Sequence, residues 1–280
     1  MQYTINVGGH LMDLGTPQVM GILNVTPDSF YAGSRKQTEC EIAERANQII
    51  GEGGTMIDVG AFSTRPGAPE VSEEEEMVRL RFGLEIVRRE QPNAVVSVDT
   101  FRPKVAQMAV EEYGVDIIND VSEGGLTGVV DRPLEEELQA KDGIPPIFAM
   151  VAKLGVPYIL MSVKPTVEEM IVAFSHEVQQ LRDLGVKDII LDPGFGFGKT
   201  LDQNYKLMAN LNKLKALELP LLVGVSRKSM IFKLLDTDPM GALNGTTVLH
   251  TLSLLQGASI LRVHDVKEAV ETVKIVNYKC

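Results

Sequence analysis

The sequence predicts an α/β fold, a single-domain (β/α)8 TIM barrel that takes in residues 1–280. Eight short runs are rich in Val, Ile and Leu without polar alternation, which is typical of parallel strands covered on both faces. Amphipathic stretches alternate with these runs, and no linker or low-complexity segment divides the chain. The predicted strands are residues 19–25, 56–60, 94–99, 115–119, 158–161, 188–192, 221–225 and 259–263.

Helical periodicity fills most of the connections between these strands. Ser72 followed by Glu75 resembles a capping box at the start of one helix. Gly114, Gly185 and Gly257 each follow an amphipathic stretch, as expected where helices end. The predicted helices are residues 38–52, 72–90, 102–113, 166–184, 201–214, 239–256 and 266–276.

Two segments stand outside this repeat. Residues 1–15 are predicted to form a small N-terminal β-hairpin with Gly8 and Gly9 at its turn, closing the bottom of the barrel. Residues 122–147 are polar, acidic and rich in turn residues, so they are predicted to form an extended βα loop on the surface. A lid or a partner contact is the alternative role for this acidic loop.

Composition argues against several classes of protein. The formal net charge is −11, and the basic surface typical of nucleic-acid binding is absent from the sequence. No apolar run approaches the roughly 20 residues that span a bilayer, and the first residues do not resemble a secretory signal. Cys40 and Cys280 lack the spacing of a metal site or a disulfide framework. The sequence therefore predicts a cytoplasmic protein without nucleic-acid or membrane partners.

Polar residues lie at the end of nearly every predicted strand. In a barrel of this kind, the C-terminal ends of the strands carry the active site. One such residue is commonly structural, but seven on one rim would each incur a desolvation cost without a function. Bracing a neighbouring strand is an alternative role for Asp58. The seven residues are Asn24, Asp58, Asp99, Asn119, Asp192, Ser226 and His264.

These side chains and the adjoining loops suit a ligand in two parts. Asp99, Asn119 and Asp192 can bind the edge of a heterocycle that is rich in N–H groups. The loop that follows residue 224 opens a helix, and a helix N-terminus favours anions. The side chains suited to a phosphate-like group are Asn24, Arg65, Arg262 and His264. The residues alone predict a nitrogenous ring joined to phosphate or pyrophosphate.

Seven motifs, in order along roughly residues 17–273, resemble those of the dihydropteroate synthase family. The stretch at residues 31–36 is similar to the version in Bacteroides-type enzymes. The motifs are residues 21–30 (GILNVTPDSF), 63–67 (STRPG), 97–100 (SVDT), 118–122 (INDVS), 191–199 (LDPGFGFGK), 226–229 (SRKS) and 262–265 (RVHD).

The resemblance implies a transferase that joins 6-hydroxymethyl-7,8-dihydropterin pyrophosphate to 4-aminobenzoate, giving 7,8-dihydropteroate and pyrophosphate in folate biosynthesis. It implies a dissociative reaction, in which pyrophosphate leaves before the arylamine attacks the pterin methylene. It also implies Mg²⁺, reached through Asn24 and the phosphates, and a homodimer. The residues implied in catalysis are Asn24, Arg65, Lys228, Arg262 and His264.

The same resemblance assigns three groups of binding residues. Those for the pterin are Asp99, Asn119, Met161, Asp192, Phe197, Lys228 and Arg262. Those for the pyrophosphate are Asn24, Arg65, Arg262 and His264. Those for 4-aminobenzoate are Phe30, Thr64, Pro66, Phe197, Ser226 and Lys228, and sensitivity to sulfonamides is expected at this pocket.

The chain departs from the family in three places. Ser162 and Val163 stand where the family has His and Met after the fifth strand, residues 122–147 are extended, and Ala32 replaces a common Asp. These changes leave open a non-catalytic or catalytically altered pterin-binding paralogue, or an acceptor other than 4-aminobenzoate. A methyltetrahydrofolate-dependent corrinoid methyltransferase is a further alternative, but such enzymes lack the motifs seen at residues 63–67 and 226–229.

Overall fold

The computed structural model describes residues 3–25, 35–61, 71–123 and 143–278. An antiparallel hairpin of β1 (Thr4–Val7) and β2 (His10–Asp13) precedes eight parallel strands. Each of the eight overlaps one predicted strand, so that prediction is confirmed. They are β3 (Gln18–Asn24), β4 (Met56–Gly60), β5 (Val95–Asp99), β6 (Ile117–Asp120), β7 (Tyr158–Met161), β8 (Ile189–Asp192), β9 (Leu222–Val223) and β10 (Ile260–Val263).

The eight strands form a nearly closed barrel. They pair in parallel in the order β8-β7-β6-β5-β4-β3-β10-β9. Leu191 in β8 forms a further parallel bridge with Leu221, directly before β9, which joins the two ends of the sheet. The Leu191 amide also donates to the Pro220 carbonyl at 2.9 Å. The predicted (β/α)8 architecture is therefore confirmed.

Helices occupy the connections between the barrel strands. Two predicted helices are each divided into an α-helix and a 3-10 helix. The one predicted at 201–214 ends in the 3-10 helix Leu211–Leu217, and the one predicted at 239–256 begins with the 3-10 helix Met240–Ala242. The α-helices are α1 (Arg35–Gly51), α2 (Glu73–Glu90), α3 (Pro103–Tyr113), α4 (Pro146–Leu154), α5 (Val167–Asp183), α6 (Leu201–Ala209), α7 (Ser229–Phe232), α8 (Leu243–Leu255) and α9 (Val266–Val276). No helix in the described ranges has both the length and the apolar character needed to cross a membrane.

Helix α4 is absent from the sequence prediction, which placed an acidic loop up to residue 147. Pro145 and Pro146 suggest a turn, but proline is well suited to the first position of a helix, and α4 begins at Pro146. The helix buries Ile147, Phe148 and Val151. The acidic loop therefore ends before α4, and its residues 124–142 lie outside the described part of the chain.

The predicted capping box at α2 is half confirmed. The Ser72 hydroxyl accepts a hydrogen bond from the Glu75 amide at 3.2 Å, as expected for an N-cap. The Glu75 side chain does not return the bond to Ser72 but accepts one from Arg79, one turn further along the helix. A complete capping box is formed instead by Thr200 and Gln203 at α6.

The N-terminal hairpin closes the bottom of the barrel, as predicted. Gly8 and Gly9 have φ values of +56° and +88°, which glycine adopts readily in a two-residue hairpin turn. Ile5, Val7 and Leu14 pack against one inward-facing residue from each of seven barrel strands. Side chains alternate between the two faces of a strand, so residues two positions further along face the barrel interior nearer its C-terminal end. Those seven contacting residues are Met20, Met56, Ile117, Ile159, Ile190, Leu222 and Ile260.

Candidate active site

Polar residues fill the barrel interior one layer above the residues that pack against the N-terminal hairpin. Counting two residues along the strands from Met56, Ile117, Ile190 and Ile260 gives Asp58, Asn119, Asp192 and Arg262. The sequence placed Asp58 at the end of its strand, and this prediction is wrong. Asp58 lies inside β4 with no exposed surface. Its depth indicates a bracing role beneath the rim.

Arg262 is the centre of an ion-pair network inside the barrel. Its Nε donates to Asp58 Oδ2 at 2.6 Å, and its Nη2 donates to Asp99 Oδ2 at 2.9 Å. Asn119 Nδ2 donates to the same Asp58 oxygen at 3.2 Å. Asp58 thus holds Arg262 and Asn119 in fixed positions, which supports the bracing alternative for this residue.

Two acceptor atoms in this network have no partner among the described residues. They are Asp58 Oδ1 and Asn119 Oδ1, and both are buried. A buried polar atom without a partner is destabilising, so unpaired acceptors at a barrel mouth indicate a place where a ligand donates hydrogen bonds. Asn119 presents such an acceptor where the sequence predicted pterin contact.

The charges in the network shift one another's ionisation. Burial raises the pKa of Asp99, and Arg262 offsets this only in part. Burial alone would lower the pKa of Arg262, but Asp58 and Asp99 together raise it above its ordinary value. Arg262 is therefore a permanent cation, and its charge is shared between two carboxylates.

A second group lies on the other side of Arg262. Asp192 at the end of β8 accepts the Gly194 amide on Oδ1 at 2.8 Å. Lys228 donates to the Phe195 carbonyl, and its Nζ lies 4.7 Å from the centre of the Phe197 ring. The structure therefore brings together three residues predicted to bind pterin: Asp192, Phe197 and Lys228.

Two glycines, one at the end of β4 and one directly after β9, leave room between the predicted site residues. A Cβ at Gly224 would lie 3.8 Å from Arg262 Cβ and 3.9 Å from Lys228 Nζ. A Cβ at Gly60 would lie 3.4 Å from Asn24 Oδ1 and 3.7 Å from Asp99 Cβ. Asn24 and Asp99 thus lie together on one side of the barrel mouth, and Lys228 lies beside the Arg262 stem on the other.

Two lysines in this region have lowered pKa values. Burial lowers the pKa of Lys228 to about 8, although Asp192 favours the charged form. Burial likewise lowers the pKa of Lys199 to about 8, again opposed mainly by Asp192. Burial raises the pKa of Asp192, and Lys228 is the main opposing charge. Perturbed groups clustered at a barrel mouth are typical of a functional site.

His264 is oriented by Ser226. The Ser226 hydroxyl accepts the His264 amide at 3.1 Å and lies 3.2 Å from His264 Nδ1. Arg45 of α1 fixes the same loop by donating to the His264 carbonyl at 2.6 Å and to the Ile22 carbonyl at 3.1 Å. The structure therefore places Ser226, predicted to bind 4-aminobenzoate, directly against a predicted pyrophosphate ligand.

The glycine run after β8 contains a position that the packing of two strand ends reserves for glycine. Gly194 has φ +63°, and a Cβ there would lie 2.2 Å from the Ser162 carbonyl oxygen. The glycine is therefore required by close contact between the β8 loop and the end of β7. Met161, predicted to bind the pterin, is fully buried beside this contact and pairs with Asp192 across the sheet.

Several residues with a supporting role were not identified from the sequence. Arg227, at φ +53°, forms a bidentate pair with Asp265, with both distances 2.8 Å. Both residues stand within the recognised motifs at 226–229 and 262–265, so their adjacency to Lys228 and His264 was the available signal. Lys199 closes the motif at 191–199 and was likewise passed over. Glu123 lies in the extended segment 122–147, but nothing in the sequence distinguished it from the other acidic residues there.

Four predicted site residues lie outside the described ranges: Phe30, Thr64, Arg65 and Pro66. The residues that flank the segment 62–70 are held by two buried arginines. Arg79 Nη1 donates to the Ala61 carbonyl at 3.1 Å, and Arg102 Nη2 donates to the Val71 carbonyl at 2.9 Å. Arg102 also pairs with the fully buried Glu76. Ala61 and Val71, on either side of this segment, are therefore each held by a buried arginine.

Fold and site together define a barrel enzyme that binds a polar, anionic small molecule at the C-terminal ends of its strands. A family model described as pterin binding enzyme matches residues 20–264. The dihydropteroate synthase of Escherichia coli K12 is 39% identical over 274 residues, covering 96% of this chain and 93% of that protein. The dihydropteroate synthase of Synechocystis is 38% identical over 288 residues, covering 97% and 93%.

Solved structures of dihydropteroate synthases are also similar to this chain. A Xanthomonas albilineans dihydropteroate synthase with 4-aminobenzoic acid superposes with a TM-score of 0.84 at 33% identity, covering 98% of this chain and 97% of that one. A Yersinia pestis dihydropteroate synthase in complex with a sulfonamide drug gives 0.79 at 38% identity, covering 99% and 98%. The chain belongs to the dihydropteroate synthase family. Its reaction is accordingly the condensation of 6-hydroxymethyl-7,8-dihydropterin pyrophosphate with 4-aminobenzoate, a transferase step of folate biosynthesis.

Proposed function

We propose that the barrel mouth around Arg262 is the pterin slot of this synthase. The observation that carries the proposal is the network in which one guanidinium binds Asp58 and Asp99 while Asn119 keeps a buried acceptor without a described partner. A polar heterocycle with several N–H groups would supply the missing donors and offset the desolvation of the site. This role also explains why so much charge is kept inside the barrel.

The slot offers complementary groups to each edge of a pterin. Ionised Asp192 has acceptor capacity beyond its bond to Gly194, which suits a ring N–H and the exocyclic amine. Lys228 would donate to the ring carbonyl and N5. Phe197 offers apolar surface to one ring face, Arg262 would lie over a face, and the fully buried Met161 would line the slot from the end of β7. Asp99 and Asn119 would bind the remaining edge.

The pyrophosphate would lie on the side of Asn24 and His264, together with Arg65. Arg262 already gives Nε and Nη2 to carboxylates, so Nη1 is the atom of this side chain that suits a phosphate oxygen. Ser226 holds the His264 ring so that its other nitrogen can bind the leaving group. Hydrogen bonds aimed at the leaving oxygens stabilise charge where it develops in a dissociative reaction.

Asn24 fits a magnesium ion that takes most of its ligands from the substrate. In the part of the chain that the structure describes, no group of three His, Cys, Asp or Glu side chains suits a metal. Mg²⁺ commonly binds through one or two protein oxygens and keeps phosphate oxygens and water as its other ligands. The exposed Asn24 side chain at the end of β3 supplies one such oxygen. Bound there, Mg²⁺ would stabilise negative charge on the pyrophosphate.

The 4-aminobenzoate would bind beside Phe197 and Lys228, with Ser226 near its carboxylate. Phe30, Thr64 and Pro66 complete this pocket in the proposal. The relatives from Xanthomonas albilineans and Yersinia pestis bind 4-aminobenzoic acid and a sulfonamide drug respectively. We therefore propose that sulfonamides inhibit this enzyme in competition with 4-aminobenzoate.

Affinity for the pterin substrate is expected to fall as the pH rises through about 8. Burial lowers the pKa of Lys228 to about 8, so this side chain loses its proton, and one donor to the pterin, above that pH. Lys199, with a pKa of about 8, loses its proton in the same range. Pterin binding measured by calorimetry between pH 6.5 and 9.5 tests this. In Lys228→Arg the part of the decline due to Lys228 should move above pH 9.5, because arginine stays charged. An identical profile for the wild type and Lys228→Arg would contradict the role of Lys228.

A second copy of this chain is proposed to bind along α8. Val248, Leu252 and Leu255 form one stripe on this helix at spacings of four and three residues, and all three are exposed. Leu234, Leu235 and Met240 add exposed apolar side chains from the segment before α8. Contiguous exposed apolar surface of this kind is typical of an interface, and a symmetric dimer would cover the same patch on both chains.

Introducing a charge into this stripe is expected to separate the dimer. Leu252→Glu would place a carboxylate on both sides of the interface and leave it desolvated there. Light scattering should then give the mass of one chain instead of two. Val172→Glu on α5 is the matched control, because Val172 is also exposed but lies outside the stripe. A monomeric wild type, or a Leu252→Glu protein that is still dimeric, would contradict the proposed interface.

We place the enzyme in the cytoplasm, without nucleic-acid or membrane partners. Cys40 is exposed and free, which suits a reducing compartment. The net charge of −11 disfavours binding to nucleic acid.

A further inference from the structure

The two loops in which this chain departs from its family are in contact through residues at their N-terminal ends. One follows β6 and contains Glu123, and the other follows β7 and contains Ser162. Ser162 Oγ donates to Glu123 Oε1 at 2.8 Å. Lys164 Nζ lies 3.4 Å from Glu123 Oε2. The serine that replaces the family's histidine therefore has its partner in the other altered loop.

Glu123 is held in an uncommon position. It has no exposed surface and a φ of +56°, a region that non-glycine residues rarely adopt. The turn leading to it is fixed by Asp120, which accepts hydrogen bonds from the Ser122 amide at 2.7 Å and from the Tyr158 hydroxyl. A non-glycine residue keeps such a backbone conformation only where the surrounding structure fixes it, and residues of this kind cluster at functional sites.

The backbone of Ser162 contacts the end of β8 and the loop that follows it. Its amide donates to the Asp192 carbonyl at 2.9 Å, so it continues the strand pairing at the predicted pterin acceptor. Its carbonyl accepts Lys199 Nζ at 3.1 Å. The same Nζ donates to the Gly194 carbonyl at 3.0 Å and to the Phe197 carbonyl at 3.2 Å. One ammonium group therefore ties the end of β7 to both ends of the turn that carries Phe197.

We infer that Glu123 is a positioning residue for the pterin slot, acting through Ser162 and Lys199 on the Gly194–Phe197 turn. Glu123 itself touches none of the proposed substrate contacts among the described residues. It fixes the hydroxyl of Ser162, Ser162 fixes Lys199, and Lys199 holds the turn that places Phe197 over Lys228. Outer residues of this kind commonly control the affinity of a site without joining the chemistry.

The inference rests on the proposed pterin slot and makes a distinct prediction within it. Glu123→Ala and Ser162→Ala should each raise the KM for dihydropterin pyrophosphate by about tenfold, the usual effect of losing one hydrogen bond to a charged group. The KM for 4-aminobenzoate should rise as well, because Phe197 lines both proposed pockets, whereas kcat should change by less than about twofold, because neither altered side chain touches the reacting atoms. The double variant should resemble the worse single variant, since both changes break one connection.

Further variants separate positioning from simple stability. Glu123→Gln keeps an acceptor for Ser162 and should restore a KM close to that of the wild type. Glu168→Ala is the control, because Glu168 pairs with Lys213 in an exposed bridge on α5. If Glu123→Ala does not fold, Ser162→Ala alone carries the test, because it removes a single hydroxyl.

Two failures can be told apart. An inactive wild-type protein would remove the basis of the pterin slot itself. An active wild type whose Ser162→Ala variant loses thermal stability but keeps its KM for the pterin would overturn the positioning role and leave the synthase intact.

Discussion

Arg262→Met is expected to abolish activity and to destabilise the barrel by about 3–5 kcal/mol, the usual cost of removing one partner of a buried ion pair. The reason is that Asp58 and Asp99 would remain in the barrel interior without their shared cation. For a chain of this size the loss corresponds to roughly 10 °C in melting temperature. The melting temperature and pyrophosphate release measure the two effects separately.

The destabilisation of Arg262→Met should grow with pH. The pKa of Asp99 is already raised by burial, and removing Arg262 raises it further. The folded variant therefore binds more protons than the unfolded chain, so its stability is greater at pH 5.5 and is lost towards pH 8. Adding Asp99→Asn should recover part of the stability at pH 8 without restoring activity. Equal stability of the wild type and Arg262→Met at pH 8 would show that the network does not hold the barrel interior together.

Asp192→Asn is expected to lower kcat/KM for the pterin substrate by at least about 100-fold, because two hydrogen bonds to a charged acceptor are worth about 3 kcal/mol. The amide would place a donor where the pterin also presents donors, which adds repulsion to the lost bonds. It would also remove the main charge that favours protonated Lys228. Initial rates at several pterin concentrations measure the loss.

The fold of Asp192→Asn should survive, because an asparagine oxygen can still accept the Gly194 amide. Asp202→Asn on α6 is the matched control, since Asp202 is exposed and lies away from the slot. The control should keep the kinetics of the wild type. If Asp192→Asn retained more than about a tenth of the wild-type kcat/KM, its loss of activity would be smaller than that expected for one such bond. That result would exclude Asp192 as the principal pterin acceptor.

Local patterns in the sequence were sufficient to predict the architecture. Continuous apolar runs located the strands to within two residues at each end, because parallel barrel strands are buried on both faces. The hairpin followed from its two glycines. Helix α4 was missed because its two prolines indicate a turn when the burial of Ile147, Phe148 and Val151 is not known.

The site could be predicted as a set of residues but not as a network. Strand-end position and motif resemblance identified Asn24, Asp99, Asn119, Asp192 and Arg262. The Arg262–Asp58 pair joins residues 204 positions apart, and no local pattern carries that information. The link between Glu123 and Ser162 was hidden for the same reason, since each residue appears in the sequence only as an isolated departure from the family.

The central claim is that this barrel mouth binds dihydropterin pyrophosphate and transfers the pterin to 4-aminobenzoate. The most direct test measures pyrophosphate release and dihydropteroate formation together, with purified protein, both substrates and Mg²⁺, and with Asp192→Asn as the comparison. We predict that equal amounts of the two products form with the wild type and that both are lost in the variant. Pterin binding without either product would contradict the claim and would identify the chain as a non-catalytic pterin-binding paralogue.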